Sequence, residues 1–223
     1  MPVKELNDFK IKDLPTVLRP ETLMEGYWSL IPNATANCNR LHAAGIRKAS
    51  DLWEIIDNPQ EFQSLIKKTG IPREYLQRLS GILTFNKFKP FPLKKIENIN
   101  PQHLKSLELE GIKETGALLL AGRTKEMRKE LAHKTGIPES DLEYLLKLAD
   151  LMRMPGVKNI RAKLYIDAGI DCVTKFAAQQ PDQMRAFMLE FVKKTKTTRT
   201  APLPKEITTG IAWAKIMPVV VIF

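Results

Sequence analysis

Lys-Thr-Gly-Ile-Pro is written twice in this chain, at residues 68–72 and again at residues 134–138, 66 positions later. Each copy precedes a leucine pair, Leu76 and Leu79 in the first and Leu142 and Leu145 in the second. Glycine supplies the left-handed backbone that ends a helix. The proline two residues on opens the next helix, where its missing N–H costs nothing. The phrase is a stop-and-restart sign between two helices, and its repetition predicts a duplicated helical unit.

The self-similarity extends outward from it. Sliding one copy by 66 residues without a gap pairs Leu52 with Leu118 and Leu65 with Leu131. Gly45-Ile46 lies 25 residues before Gly70, and Gly111-Ile112 lies 25 residues before Gly136. A third, looser copy begins at Gly169-Ile170, with Thr174 standing for Ser50, Phe176 for Leu52 and Lys193-Lys194-Thr195 for residues 67–69. It lacks the Thr-Gly-Ile-Pro phrase and runs KTTRTAPLPKEI instead.

Before each Gly-Ile, apolar residues recur at helical spacing: Cys38 and Leu41; Leu104 and Leu107; Ile160, Leu164 and Ala168. Gly45, Gly111 and Gly169 read as residues just past a helix end, with the following isoleucine packing back on the last turn. Ser50 and Thr174 read as N-caps of the next helix, and Trp28, Trp53 and Trp213 as core. No stretch alternates long enough to make a sheet. The expected fold is all-α, a tandem of three related helical modules with a period of about 66 residues. Its parts are an N-terminal arm (1–24), a first module (25–84), a basic Phe/Pro linker (85–95), a second module (96–150), a third (151–217) and an apolar tail (218–223).

Charge is unevenly spread. Residues 1–84 carry 11 basic and 10 acidic side chains, residues 85–150 carry 12 and 10, and residues 151–223 carry 12 and 5. Most of the net +10 therefore sits in the last third, which suits either a polyanionic partner or a lysine-rich solvated surface. The two cysteines, Cys38 and Cys172, make no CxxC pair and no disulfide framework. The opening MPVKELNDFKIKDLP is not a leader, and the tail MPVVVIF is too short to span a bilayer. The expected compartment is the cytoplasm or an organellar stroma, with no membrane span.

Catalytic signatures are wanting. His42, His103 and His133 follow no metal-ligand spacing, and Cys38 with His42 supplies only two ligands, too few for structural zinc. There is no phosphate-binding P-loop, no GxGxxG and no nucleophile elbow. The chain reads as non-enzymatic, with no cofactor and no metal.

The stretch LMRMPGVKNIRAKLYIDAGI (151–170) looks like a helix-hairpin-helix: an apolar residue, Pro-Gly-Val, a polar step and a helix with an inward Ala162. Weaker relatives are LIPNATANCNRLHAAGI (30–46) and IENINPQHLKSLELEGI (96–112). Together with the repeated Thr-Gly-Ile-Pro, these resemble the proteins grouped as domain of unknown function 4332, over roughly residues 25–217. The resemblance implies tandem helix-hairpin-helix units related to small DNA-binding modules, without a settled activity.

In nucleic-acid-binding hairpins of this kind, a Gly-hydrophobic-Gly loop lets backbone N–H groups at the second helix's start meet a phosphate. Such contact does not read sequence. Here Gly156 and Val157 fit the pattern and Lys158 replaces the second glycine; Arg153, Lys158, Arg161 and Lys163 cluster around it. The expected contacts are Gly156, Val157, Lys158, Asn159 and Arg161, assisted by Arg153, Lys193, Lys194, Lys196 and Arg199. The first hairpin, with Pro32 and Ala34 around Asn33, and the second, with Asn98 and Asn100 around Ile99, read as structural joints. NKFKPFPLKK (86–95 with Phe85 before it) suits a stacking surface for single strands or a linker whose phenylalanines pack inward. The functional expectation is sequence-independent DNA or RNA binding through phosphates. The alternative is a protein-interaction scaffold, and the tail VVVIF fits either a partner chain or the protein's own core.

Overall fold

The computed structural model describes residues 6–223, in which all regular structure is helical. Twelve α-helices fall into three runs of four. The first run is α1 (Ala34–Ala43), α2 (Ala49–Asp57), α3 (Pro59–Thr69) and α4 (Arg73–Phe85). The second is α5 (Pro101–Leu109), α6 (Thr115–Ala121), α7 (Lys125–Thr135) and α8 (Glu139–Leu151). The third is α9 (Asn159–Asp167), α10 (Val173–Ala177), α11 (Pro181–Thr195) and α12 (Pro204–Ile216). No described helix is long and apolar enough to cross a membrane.

The joints follow the local chemistry. Gly70 and Gly136 end α3 and α7 in left-handed backbone, at φ 64° and 68°. In both copies the threonine hydroxyl donates to the carbonyl four residues back, Leu65 at 2.8 Å and Leu131 at 2.7 Å. It also accepts the N–H of the following isoleucine at 3.3 Å in each copy. Ile71 and Ile137 are buried, so the phrase pins a turn and seeds a core contact together. After α11, Lys196 takes the glycine's place at φ 54°, and Thr195 donates to Phe191 O at 2.8 Å.

The Gly-Ile joints behave alike. Ile46, Ile112 and Ile170 donate to the carbonyls of Leu41, Leu107 and Tyr165 at 2.8–3.0 Å, and each isoleucine is buried. These are six-to-one bonds of a Schellman end, which satisfy helix carbonyls that would otherwise lack donors.

Several sequence expectations change. Residues 6–24 are not a free arm: Leu6, Phe9, Ile11, Leu14 and Val17 are wholly buried. Residues 1–5 lie outside the described residues. Ile11 N–H donates to Arg47 O and Ala49 N–H to Phe9 O, both at 2.9 Å. The linker does the same further along: Leu93 N–H bonds Lys113 O and Thr115 N–H bonds Phe91 O, again at 2.9 Å. Phe9-Lys10-Ile11 and Phe91-Pro92-Leu93 thus fill equivalent places, each bridging the start of α2 or α6. Of the linker phenylalanines, Phe88 is buried and Phe91 packs on the core, whereas Phe85 is exposed.

Ser50 and Thr174 are not N-caps; those positions fall to Lys48 and Cys172. Asp8 reaches across instead, accepting from Ser50 N–H at 3.0 Å and from its hydroxyl at 2.9 Å. Asp150 serves α10 likewise, its Oδ2 accepting from Val173 N–H at 2.9 Å. Trp213 is buried, but Trp28 is 44% exposed and Ile160 points outward. Distant carboxylates thus join local groups at these helix starts, Asp51 Oδ2 accepting from Arg47 and Lys48 N–H at α2 and Cys172 Sγ from Lys175 N–H at α10.

The chain closes on itself. Phe9 meets Trp213 of α12 edge-on, with centroids 5.0 Å apart. In the tail, Val220 and Val221 are buried and Ile222 N–H donates to Arg123 O at 3.0 Å. The tail therefore covers the protein's own core and bridges the third run to the second.

Candidate phosphate-binding face

The third hairpin is a tight turn over residues 154–157, closed by Val157 N–H to Met154 O at 3.1 Å. Pro155 presets the second position and Gly156, at φ 78°, occupies the third, where a side chain would be strained. Nothing lies within 4 Å of where a Gly156 Cβ would stand, so this backbone faces open space. Lys158 follows as the extended N-cap of α9 and offers no side-chain cap. Among the described residues, the N–H groups of Gly156, Lys158 and Asn159 have no hydrogen-bond partner. Free N–H groups at a helix start, with the helix dipole behind them, favour an anion.

The side chains sort differently from the sequence expectation. Arg153 is a correction: it is 2% exposed and cannot reach a phosphate. Its guanidinium is held by Asp150 Oδ1 at 2.7 and 3.0 Å, Leu6 O at 2.7 Å and Pro218 O at 3.1 Å. Val157 is also corrected, because its side chain is core and its N–H closes the turn. Arg161 is half-buried and already engaged, donating to Thr200 O at 2.9 Å and pairing with Glu206 Oε1 at 3.2 Å. Lys163 pairs with Asp167 at 2.8 Å.

What remains is a coherent basic face. Lys158 is exposed, and Arg161 ties its helix to the loop after α11 through Thr200. On that side Lys193, Lys194, Lys196 and Arg199 are exposed, with no carboxylate within 4.0 Å among the described residues. Lys193, Lys196 and Arg199 rim a hollow of about 500 Å³ with Thr197 and Thr198. Asn159 Nδ2 donates weakly to Lys95 O at 3.4 Å, which brings exposed Lys94 and Lys95 to the hairpin from 64 residues away. Sequence reading left those two lysines in the linker, since no local signal marks a meeting across that separation.

The other two hairpins share the turn. Asn33 and Asn98 stand at φ 63° and 60°, where Gly156 stands in the third. In the first hairpin the left-handed residue is thus Asn33 itself, flanked by Pro32 and Ala34. Asn100 caps α5 by accepting from Gln102 N–H at 2.9 Å, so that helix start is already satisfied.

Nucleophilic chemistry finds a poor setting in the cysteines, which are both buried. Burial pushes the Cys38 thiol up to about 12, far from the thiolate that reaction or metal binding needs. Among the described residues no three His, Cys, Asp or Glu side chains come together as a metal site.

The model of a family described as Domain of unknown function (DUF4332) matches residues 97–217, just over half of the chain. No curated protein and no solved structure matches the chain.

Proposed function

We propose that this chain, which belongs to the DUF4332 family, is a non-catalytic binder of nucleic acid built from three tandem helix-hairpin-helix modules. The third hairpin grips phosphate without reading sequence. One observation carries the reading: the start of α9, where Asn159 Oδ1 takes only the Ile160 N–H, presents the free N–H groups of Lys158 and Asn159. Unpaired cations from two other parts of the chain are drawn up to it by Arg161 and Asn159. Lys158 and Arg199 pair with phosphate by charge, with Lys193, Lys194, Lys196, Lys94 and Lys95 extending the track. Arg161 positions the loop rather than touching phosphate. Three equivalent turns at residues 33, 98 and 156, with similar joints after each, support the tandem arrangement.

The test is fluorescence anisotropy with labelled duplex DNA, single-stranded DNA and RNA across salt concentrations. A handful of contacts gives a slope of log affinity on log salt of about −3 to −5, each phosphate contributing about −0.9 on duplex DNA. Reversal of Lys158 and Arg199 to Glu flattens that slope by about two contacts. Arg161 is left intact, because a glutamate there would face Glu206. Absence of binding at about 50 mM salt, or binding indifferent to the reversal, refutes the reading.

The second reading, a protein-interaction scaffold, draws on exposed Phe187 and Leu189 of α11 and on Leu203 at the start of α12. Apolar side chains set on a basic face suit a protein partner as well. A protein that fails every nucleic-acid titration while holding its fold is of this second kind.

A further inference from the structure

Helix α11 turns Met184, Met188 and Val192 inward and packs against α12. On its flank Phe187 and Phe191 stand one turn apart, with ring centroids separated by 6.0 Å and planes inclined by 39°. Phe191 leans on the core, whereas Phe187 is 47% exposed. A single exposed apolar side chain is ordinary, so the weight lies in what stands at the same place in the other two copies.

Helices α3, α7 and α11 share one ending, a threonine whose hydroxyl donates to the carbonyl four residues back. That ending sets their register. Eight residues before it stand Glu61, Met127 and Phe187, and six residues before it Gln63, Lys129 and Leu189. Glu61, Gln63 and Lys129 are exposed, as polar residues on an outer helix face should be. Both places turn apolar and stay exposed only in the third copy, whose residues 151–223 carry 12 basic and 5 acidic side chains.

Charge indicates what the ring meets. Lys194 continues the line of Phe187 and Phe191 by one more turn and is exposed, with exposed Lys193 next to it and Lys196 and Arg199 following in the loop. These cations favour a polyanion over an apolar protein surface. Glu190 borders Phe187 one turn on and repels a phosphate there. The ring is therefore offered to an uncharged, flat part of a polyanion, which is the description of a base.

We infer that Phe187 is a stacking platform for an unpaired base, and that the ligand of the basic face is single-stranded nucleic acid. The inference rests on the phosphate-binding reading given above: the lysines and Arg199 hold the strand, and the ring takes one of its bases. A phenyl face accepts every base, so stacking adds affinity without reading sequence. In a duplex each base is already stacked on both sides, and the ring has nothing to cover.

The test is fluorescence anisotropy at about 50 mM salt with three labelled probes: an oligothymidine, a strand of the same length and charge that lacks its bases, and a duplex. The parent protein binds the oligothymidine about tenfold more tightly than the abasic strand. Phe187→Ala removes that advantage and leaves the abasic strand and the duplex bound as before, while Phe187→Trp keeps it. Equal affinity of the parent for the oligothymidine and the abasic strand overturns the stacking platform and leaves the phosphate grip standing. So does an advantage that survives Phe187→Ala, or a loss shared equally by all three probes. Failure to bind any of the three overturns both readings and leaves the exposed ring to a protein partner.

Discussion

Replacing Arg153 by methionine removes the guanidinium that ties three distant parts of the chain together. The side chains of Arg153 and Asp150 are 1% and 5% exposed, and their closest approach is 2.7 Å. Methionine fills much of the same volume but leaves the Asp150 carboxylate buried with one oxygen still bonded to Val173 N–H and the other bare. It also strips donors from Leu6 O and Pro218 O, where the first segment and the tail are held. Breaking one side of a buried pair costs about 3–5 kcal/mol. For a chain of this size that lowers Tm by about 6–20 °C, at about 2–4 °C per kcal/mol. Urea unfolding followed by circular dichroism at 222 nm gives the free energy directly. The second variant, Asp150→Asn with Arg153→Met, keeps an acceptor for Val173 and abolishes the stranded charge, so it recovers a substantial part of the loss. A single variant within about 1 kcal/mol of the parent, or a double variant no better than the single, refutes the reasoning.

Lys196→Gly relieves a left-handed backbone at φ 54° that glycine adopts freely. It stabilises by up to about 1 kcal/mol, read from the shift of the urea midpoint; an unchanged or lowered midpoint contradicts the assignment. Acid unfolding senses Asp171: burial alone would raise its pKa, but hydrogen bonds from Lys175 and Lys147 outweigh that and hold it below the ordinary carboxylate range. A depressed pKa gives stability that is present above the unfolded value, about 3.9, and lost as pH falls through the lower folded value. Stability therefore declines below about pH 4, and Asp171→Asn flattens that part of the profile; identical acid profiles for parent and variant rule Asp171 out as a contributor.

The helical joints were legible because their causes are local. A glycine at a left-handed position and an isoleucine after it act within one turn of the chain at residues 45, 70, 111, 136 and 169, and at 70 and 136 the threonine before the glycine adds its hydroxyl. The third copy was harder to read because Lys196 performs the glycine's part. The group of exposed cations at the third turn was legible in outline, since Gly156 takes the left-handed backbone and Lys158 lies at the surface. Its membership was not, since Arg153, Arg161, Lys94 and Lys95 look alike as letters and have different fates.

The sequence by itself determined that the chain is helical, where most of its helices stop and that its last third is basic. Hydrogen bonds within a turn and side-chain periodicity fix those features from neighbours alone. Only the tertiary structure decided which cations are spent and which are free. Arg153 is buried because Leu6 and Pro218, 147 residues before it and 65 after it, arrive to accept its protons. Lys158 remains at the surface because no carboxylate comes within 4.0 Å of it among the described residues. A charge enters a protein interior only when partners compensate its lost hydration, and those partners are assembled by the fold rather than by the local sequence.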